Sequence, residues 1–304
     1  MRALRSAVVG VALLALAACQ TGGDVTNGDG PGGTGAPDGD APRTGDPGAV
    51  VLEVFTSGGF VPIGYHFRFV PSLTVYGDGR AIVQGPVTLQ YPGAALPNLL
   101  ETRLSAGDVD AIVAAAADAG LLGPAPEYGT PAIADVPTTT VTLGVGGETY
   151  VHAVYALDLG AYGMDVDEGS ADAGSGDDVG IDGLTPRERE ARRVLAGFLA
   201  RATAIVDGAG EPTPFVPDGV AYLALPTQPW EGGGELAPEV LPWPLGTSLA
   251  DAAECAAVTG EDAATLLGVL RGANELTRFE QGGVEYEVFA RPLLPHQSGC
   301  ADLG

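Results

Sequence analysis

The sequence predicts an α+β fold in which helices pack on a mainly antiparallel sheet. Three observations carry this. Short runs of alternating apolar residues are separated by glycine turns, three longer segments adopt helical spacing behind N-terminal cap signatures, and the order helix then hairpin occurs twice. The repetition predicts two related α-β-β units.

The elements follow in order. Val50, Leu52 and Val54 alternate with Val51, Glu53 and Phe55, the pattern of a first strand. In "FRFVPSLTVYGDGRAIVQG" Phe67, Phe69, Leu73 and Val75 fall on one face. Asp78-Gly79 suits a tight turn, Arg80 to Gln84 return, and Pro71 marks a bulge or an edge. "SAGDVDAIVAAAADAGLL" opens on Ser105 with Asp108 three residues on, repeats apolar residues at Val109, Ile112, Val113 and Ala116, and closes at Gly120, which predicts a capped helix. "TTTVTLGVGGETYVHAVYAL" alternates Thr138, Thr140 and Thr142 against Val141, Leu143 and Val145, turns at Gly146-Gly147 and returns as a second hairpin.

Next, "TPREREARRVLAGFLARATAIV" predicts a long helix. Thr185 is its cap, Pro186 its first residue and Glu188 completes the capping box. Val194, Leu195, Phe198, Ala202 and Ile205 form the stripe to be buried, and Glu188 with Arg192 reads as an i,i+4 pair worth only a few tenths of a kcal/mol. A short strand is expected at Val220 to Leu225, then an irregular proline-rich run carrying Trp230 and Trp243. A last helix follows, with Thr259 and Asp262 as cap and Leu266, Leu267 and Leu270 buried, and a last hairpin turning at Gly282-Gly283.

These elements divide the chain into a first unit over 50–207, a linker over 208–219 rich in Pro and Gly, and a second unit over 220–304. Within the first unit, 160–183 loses periodicity and gathers acids without a basic residue, so it reads as a disordered, solvated insertion. Its "DVDEGSAD" places carboxylates at alternate positions, as Ca²⁺ ligation by Asp165, Asp167 and Asp172 would need. Against an EF-hand loop, however, Gly169 comes fifth instead of sixth, and Gly176 stands where a bidentate Glu is required. Only weak Ca²⁺ binding is expected there, and no cofactor or other metal is implied.

The formal net charge is −25, and every basic residue other than histidine is Arg. Such a surface repels phosphate backbones, and no basic, aromatic-interleaved patch offsets it, which excludes nucleic-acid binding as a function class. His66, His152 and His296 stand at no metal-ligand spacing. His152, alternating with Tyr150 on the less apolar face of its strand, is expected to be a satisfied or exposed side chain. Gly-x-Ser-x-Gly, Ser-x-x-Lys and phosphate-binding glycine loops are all missing from the chain.

The N-terminus has its own logic. Arg2 and Arg5 precede an apolar run from Ala7 to Ala18, well short of the ~20 residues of a membrane-spanning helix, which is the layout of a secretory signal over 1–18. The stretch Leu16-Ala17-Ala18-Cys19 resembles the lipobox of bacterial lipoproteins. That resemblance implies that the thiol of Cys19 receives a diacylglycerol, that the leader is removed before it and that the new N-terminus is acylated. It places the protein at the extracytoplasmic face of a cell membrane, held through its lipid. Residues 19–49, nearly all Gly, Asp, Pro, Thr and Ala, then read as a flexible tether. With Cys19 acylated, Cys255 and Cys300 are left as a pair expected to form a disulfide outside the reducing cytoplasm.

The functional expectation is a membrane-anchored, non-enzymatic envelope protein that presents a binding surface, with Trp230 and Trp243 as candidate contact residues, to an envelope protein, a glycan or a small ligand. The alternative is an envelope hydrolase built from acidic residues and a histidine. A third is a body that assists an operon partner.

Overall fold

Strand β1 (Val50–Gly58) lies near the middle of a seven-stranded antiparallel sheet in the computed structural model, which describes residues 46–157, 183–232 and 236–303. Cys19, the leader, nearly all of the tether and the acidic insertion with Asp165, Asp167 and Asp172 lie outside the described residues. The remaining elements are α1 (Ile63–Phe67), β2 (Leu73–Tyr76), β3 (Arg80–Gln84), β4 (Leu99–Arg103), α2 (Ala106–Asp118), β5 (Pro137–Val145), β6 (Glu148–Tyr155), α3 (Pro186–Gly208), β7 (Thr213–Pro214), β8 (Gly219–Thr227), β9 (Val240–Pro242), β10 (Ala256–Thr259), α4 (Gly260–Leu270), β11 (Arg278–Gln281) and β12 (Val284–Pro292). The first sheet has the order β6-β5-β1-β2-β3-β4-β7 and the second β10-β8-β12-β11-β9, where β9 and β11 form a parallel pair. The fold is α+β, with helices packed on mainly antiparallel sheets.

Local chemistry explains most of these elements. Ser105 and Asp108, and Thr185 and Glu188, make the two reciprocal capping boxes that open α2 and α3. Gly120 at φ +70° ends α2 in the left-handed conformation that glycine adopts without a Cβ clash. Leu52, Val54, Leu73, Val75, Val141 and Leu143 point to one face of the first sheet and pack on Ile112 and Val113 of α2 and on Leu195 and Phe198 of α3. The second sheet buries Val220, Tyr222 and Ala224 of β8 against Leu266, Leu267 and Leu270 of α4.

Several sequence expectations change. Phe67 lies in α1 instead of on a strand, and Pro71 precedes a strand that is interior to the sheet, between β1 and β3. The long-helix stripe shifts: Arg192, Leu195, Phe198, Ala202 and Val206 are buried, so Arg192 is a core residue as well as the i,i+4 partner whose charge adds to the Thr185 hydrogen bonds that lower the Glu188 carboxyl. Residues 213–215 are knitted to β4, so part of the expected linker extends the first sheet. Thr259 makes no side-chain cap on α4, because it is the last residue of β10 and Gly260 turns the chain at φ +62°. Helix then hairpin does recur, as α2-β5-β6 and α4-β11-β12. The hairpins dock differently: β5, the first strand of its pair, lies beside β1, whereas β12, the second strand of its pair, lies beside β8.

Cys255 and Cys300 form a disulfide across a separation of 45 residues, fastening the C-terminal segment to the start of β10. A loop of that length gives about 4 kcal/mol in the chain-entropy model. Among the described residues no helix is long and apolar enough to cross a membrane.

Two features join the sheets. Arg68 after α1 reaches the Ala94 carbonyl at 2.6 Å and Glu275 at 3.4 Å, while the Gly93 amide donates to Glu275 at 2.6 Å. Gly64 of α1 lies so close to Phe289 of β12 that a Cβ there would enter the ring, so α1 docks on the second sheet only because that residue is glycine.

Candidate functional site

The site begins at the end of β1. Its partner β5 follows it to Gly58, but β2 pairs only as far as Val54, so residues 55–58 keep one edge that β2 does not cover. Side chains on a strand alternate between faces, and this edge accordingly borders two different hollows. Thr56 and Gly58 line a cleft of about 530 Å³ with Phe60, Val61, Phe69, Pro97 and Pro137. Phe55, Ser57 and Gly58 line a smaller cavity of about 280 Å³, closed by His66 and Phe67 of α1, Arg291 of β12, and Leu303.

Register puts Arg291 there. Arg291 pairs with Ala221 and Phe289 with Leu223, so both side chains leave β12 on the face that meets α1. Arg291 is 3 % exposed, yet its guanidinium makes no hydrogen bond or ion pair among the described residues, and its Nε is buried and unpartnered. Burial pulls its pKa down to about 10, only partly offset by the charge of Glu53.

Behind the cavity lies a second polar group. His296, after β12, approaches Glu53 of β1 through Nε2 at 3.3 Å and Tyr76 of β2 through Nδ1 at 2.8 Å. The Tyr76 hydroxyl and His296 Nδ1 share a hydrogen bond whose direction follows the imidazole tautomer, while the contact of Nε2 with Glu53 is one of proximity to a carboxylate. Burial raises the Glu53 carboxyl above its usual value, opposed by a hydrogen bond from Thr74 and by Arg291. Burial lowers His296, with Asp302 opposing and Arg291 adding to the shift. Tyr76 is raised far above a free phenol, chiefly by burial. The Tyr76 side chain is fully buried, so this group of polar contacts ends inside the protein.

The other histidines separate. His66 lines the smaller cavity and stacks edge-on with Phe69. His152 is fully buried on the inward face of β6 with Val154, not on the outer face, and Val151 is exposed in its place. Its Nε2 meets the Leu121 carbonyl at 2.9 Å and its Nδ1 the Tyr128 hydroxyl at 2.8 Å, so it is a satisfied structural residue. Among the described residues no cluster of His, Cys, Asp and Glu could hold a metal ion.

The two tryptophans part company too. Trp243 is 8 % exposed, packs between Tyr222 and Phe279 and donates from Nε1 to the Thr247 carbonyl, so it belongs to the second core and cannot contribute to a binding face. Trp230 is half-exposed with the Arg278 guanidinium over its ring at 6.0 Å. The large apolar side chains that do reach solvent stand elsewhere. Phe60, 90 % exposed, lines the larger cleft, Ile63 is exposed at the start of α1, and Val87, Leu89 and Tyr91 are exposed in the loop between Gln84 and Pro97, two further residues of the cleft lining. Their signal in the sequence is apolar residues set among Gly and Pro without strand or helix period, in "SGGFVPI" and "GPVTLQYPG". Arg291 left no such signal, since "FARPLL" shows nothing of what faces it.

No family model, curated protein or solved structure matches this chain.

Proposed function

We propose that this is a lipid-anchored, extracytoplasmic binding protein, tethered through Cys19, whose folded body engages an envelope partner with the apolar loops around the larger cleft. The observation that carries the binding reading is the larger cleft with Phe60, 90 % exposed, in its lining and with Val87 and Leu89 exposed in the segment that joins its lining residues Gln84 and Pro97, since exposed apolar side chains beside a cleft suit an interaction site. The anchor reading is supported by Leu16-Ala17-Ala18-Cys19, and the Cys255–Cys300 disulfide fits an oxidising compartment.

Two arms test it. Cys19→Ala should leave the membrane fraction, and unchanged retention would remove the anchor. Photo-crosslinking side chains at positions 60 and 89 should yield one shared adduct in intact cells that a probe at position 151 does not. Equal adducts from all three would remove the binding face. The hydrolase alternative has the Glu53–His296 pair in its favour, but Tyr76 beside it is too deeply buried to act as a nucleophile on a substrate.

A further inference from the structure

We propose that the cavity between β1, α1 and β12 binds a small carboxylate with an apolar body, its charged end held by Arg291. This site lies on the opposite face of β1 from the apolar cleft, and it stands whether or not the anchor and the docking loops do.

A buried guanidinium without a partner costs several kcal/mol of desolvation, and native proteins retain such a group where something else satisfies it. Within the protein nothing described does so. Glu53 is felt by Arg291 as a charge but lies beyond ion-pair distance, held by His296 and Thr74. The cavity therefore opens onto a planar, five-donor fork suited to two parallel bonds with a carboxylate. Its remaining lining decides the rest of the ligand. Phe55, Phe67 and Leu303 offer apolar walls, and Ser57 and His66 add polar atoms beside them. A bare inorganic anion would leave those walls uncovered, and a neutral apolar molecule would leave the guanidinium unpaired. At about 280 Å³ the space is at the small end of ligand sites, too small for a nucleotide or an oligosaccharide.

The construction of the cavity supports a dedicated role. Gly64 allows α1 to settle on Phe289, which brings His66 and Phe67 over Arg291, and the disulfide at Cys300 fixes the turn that carries Leu303. Three separate segments thus converge on one unpaired charge.

Calorimetric titration of the full-length protein with phenylacetate, phenylacetamide and inorganic phosphate tests the proposal. Phenylacetate should bind, and phenylacetamide, which has the same shape without the charge, should bind about tenfold more weakly or worse, the scale of a lost charge-assisted hydrogen bond. Phosphate should bind more weakly than phenylacetate. Arg291→Met, checked for folding by its unfolding midpoint, should lose phenylacetate binding by about tenfold or more. If that variant fails to fold, the acid-against-amide comparison on the unaltered protein still decides. Equal affinity for acid and amide, no binding of phenylacetate, or preference for inorganic phosphate would overturn the proposal.

Discussion

Tyr128, His152 and Arg192 beneath the first sheet and Tyr76, His296 and Arg291 between the sheets are the same three residue types, each group with a tyrosine hydroxyl 2.8 Å from a histidine Nδ1. Their environments differ at every other atom. In the first group His152 Nε2 is fixed by a backbone carbonyl, and Arg192 donates to the carbonyls of Tyr128, Gly129, Tyr155 and Ala156 at 2.7 to 3.1 Å. In the second His296 Nε2 faces a carboxylate, and Arg291 donates to no described residue. The two arginines are almost equally buried, 5 % and 3 % exposed, so burial alone does not say what a charged side chain does. Arg192 gathers the chain ends of β6 and of the loop before β5 onto α3. Arg291 is held ready for something that is not part of the fold.

The largest expected effect exploits that contrast. Arg192→Met leaves four carbonyls unsatisfied and should cost at least about 3 kcal/mol in urea unfolding. Arg291→Met breaks no hydrogen bond and relieves a desolvated charge, so it should change stability by less than about 1 kcal/mol or raise it. Comparable losses in both would mean that Arg291 has a structural partner after all.

Gly64→Ala comes next. The new methyl would meet the Phe289 ring, and relieving that overlap should cost about 1 to 3 kcal/mol. Because α1 carries His66 and Phe67, the same variant should weaken phenylacetate binding, whereas Gly197→Ala, at an open position inside α3, should leave binding unchanged and raise stability by about 0.5 to 1 kcal/mol.

The smallest effect is a pH dependence. Burial holds the His296 imidazole below its ordinary 6.5, so as pH falls through that value the unfolded chain takes up a proton before the folded protein does, and stability is lost. Glu53 works in the other direction. Its carboxyl is raised above 4.5, so its cost to the fold grows as pH rises from there. His296→Gln should therefore flatten the loss of stability on going from neutral pH toward pH 5. An unaltered slope would show that His296 does not carry it.

How much of this was legible follows from how local each interaction is. The capping boxes at Ser105 and Thr185 and the hairpin turns at Gly146-Gly147 and Gly282-Gly283 are set by neighbours in the chain, and they formed where the residues predict them. The disulfide was legible by counting once Cys19 was assigned elsewhere. Alternation alone sets His152 with Tyr150 on the less apolar face of its strand, and only Tyr128 and Leu121, brought in from another segment, bury the histidine and satisfy both its ring nitrogens. Helical spacing shows Arg192 only as the i,i+4 partner of Glu188 and not as a core residue. The carbonyls that bury it come from segments more than thirty residues away. A tryptophan in a proline-rich run, as Trp243 is, looks like a contact residue in the sequence, yet Tyr222 and Phe279 enclose it. The Glu53–His296 contact and the Arg291 cavity join β1 to the far C-terminal segment, and no periodicity encodes a meeting of that kind.

The most direct measurement of the difference between the two arginines is the side-chain Nε–H signal of each in a nuclear magnetic resonance titration with phenylacetate, the Arg291 signal being assigned by its loss in Arg291→Lys. The Arg291 signal should move and saturate with phenylacetate and stay in place with phenylacetamide, while the Arg192 signal is unmoved by either. An Arg291 signal that ignores phenylacetate, or two arginine signals that move alike, would contradict the account.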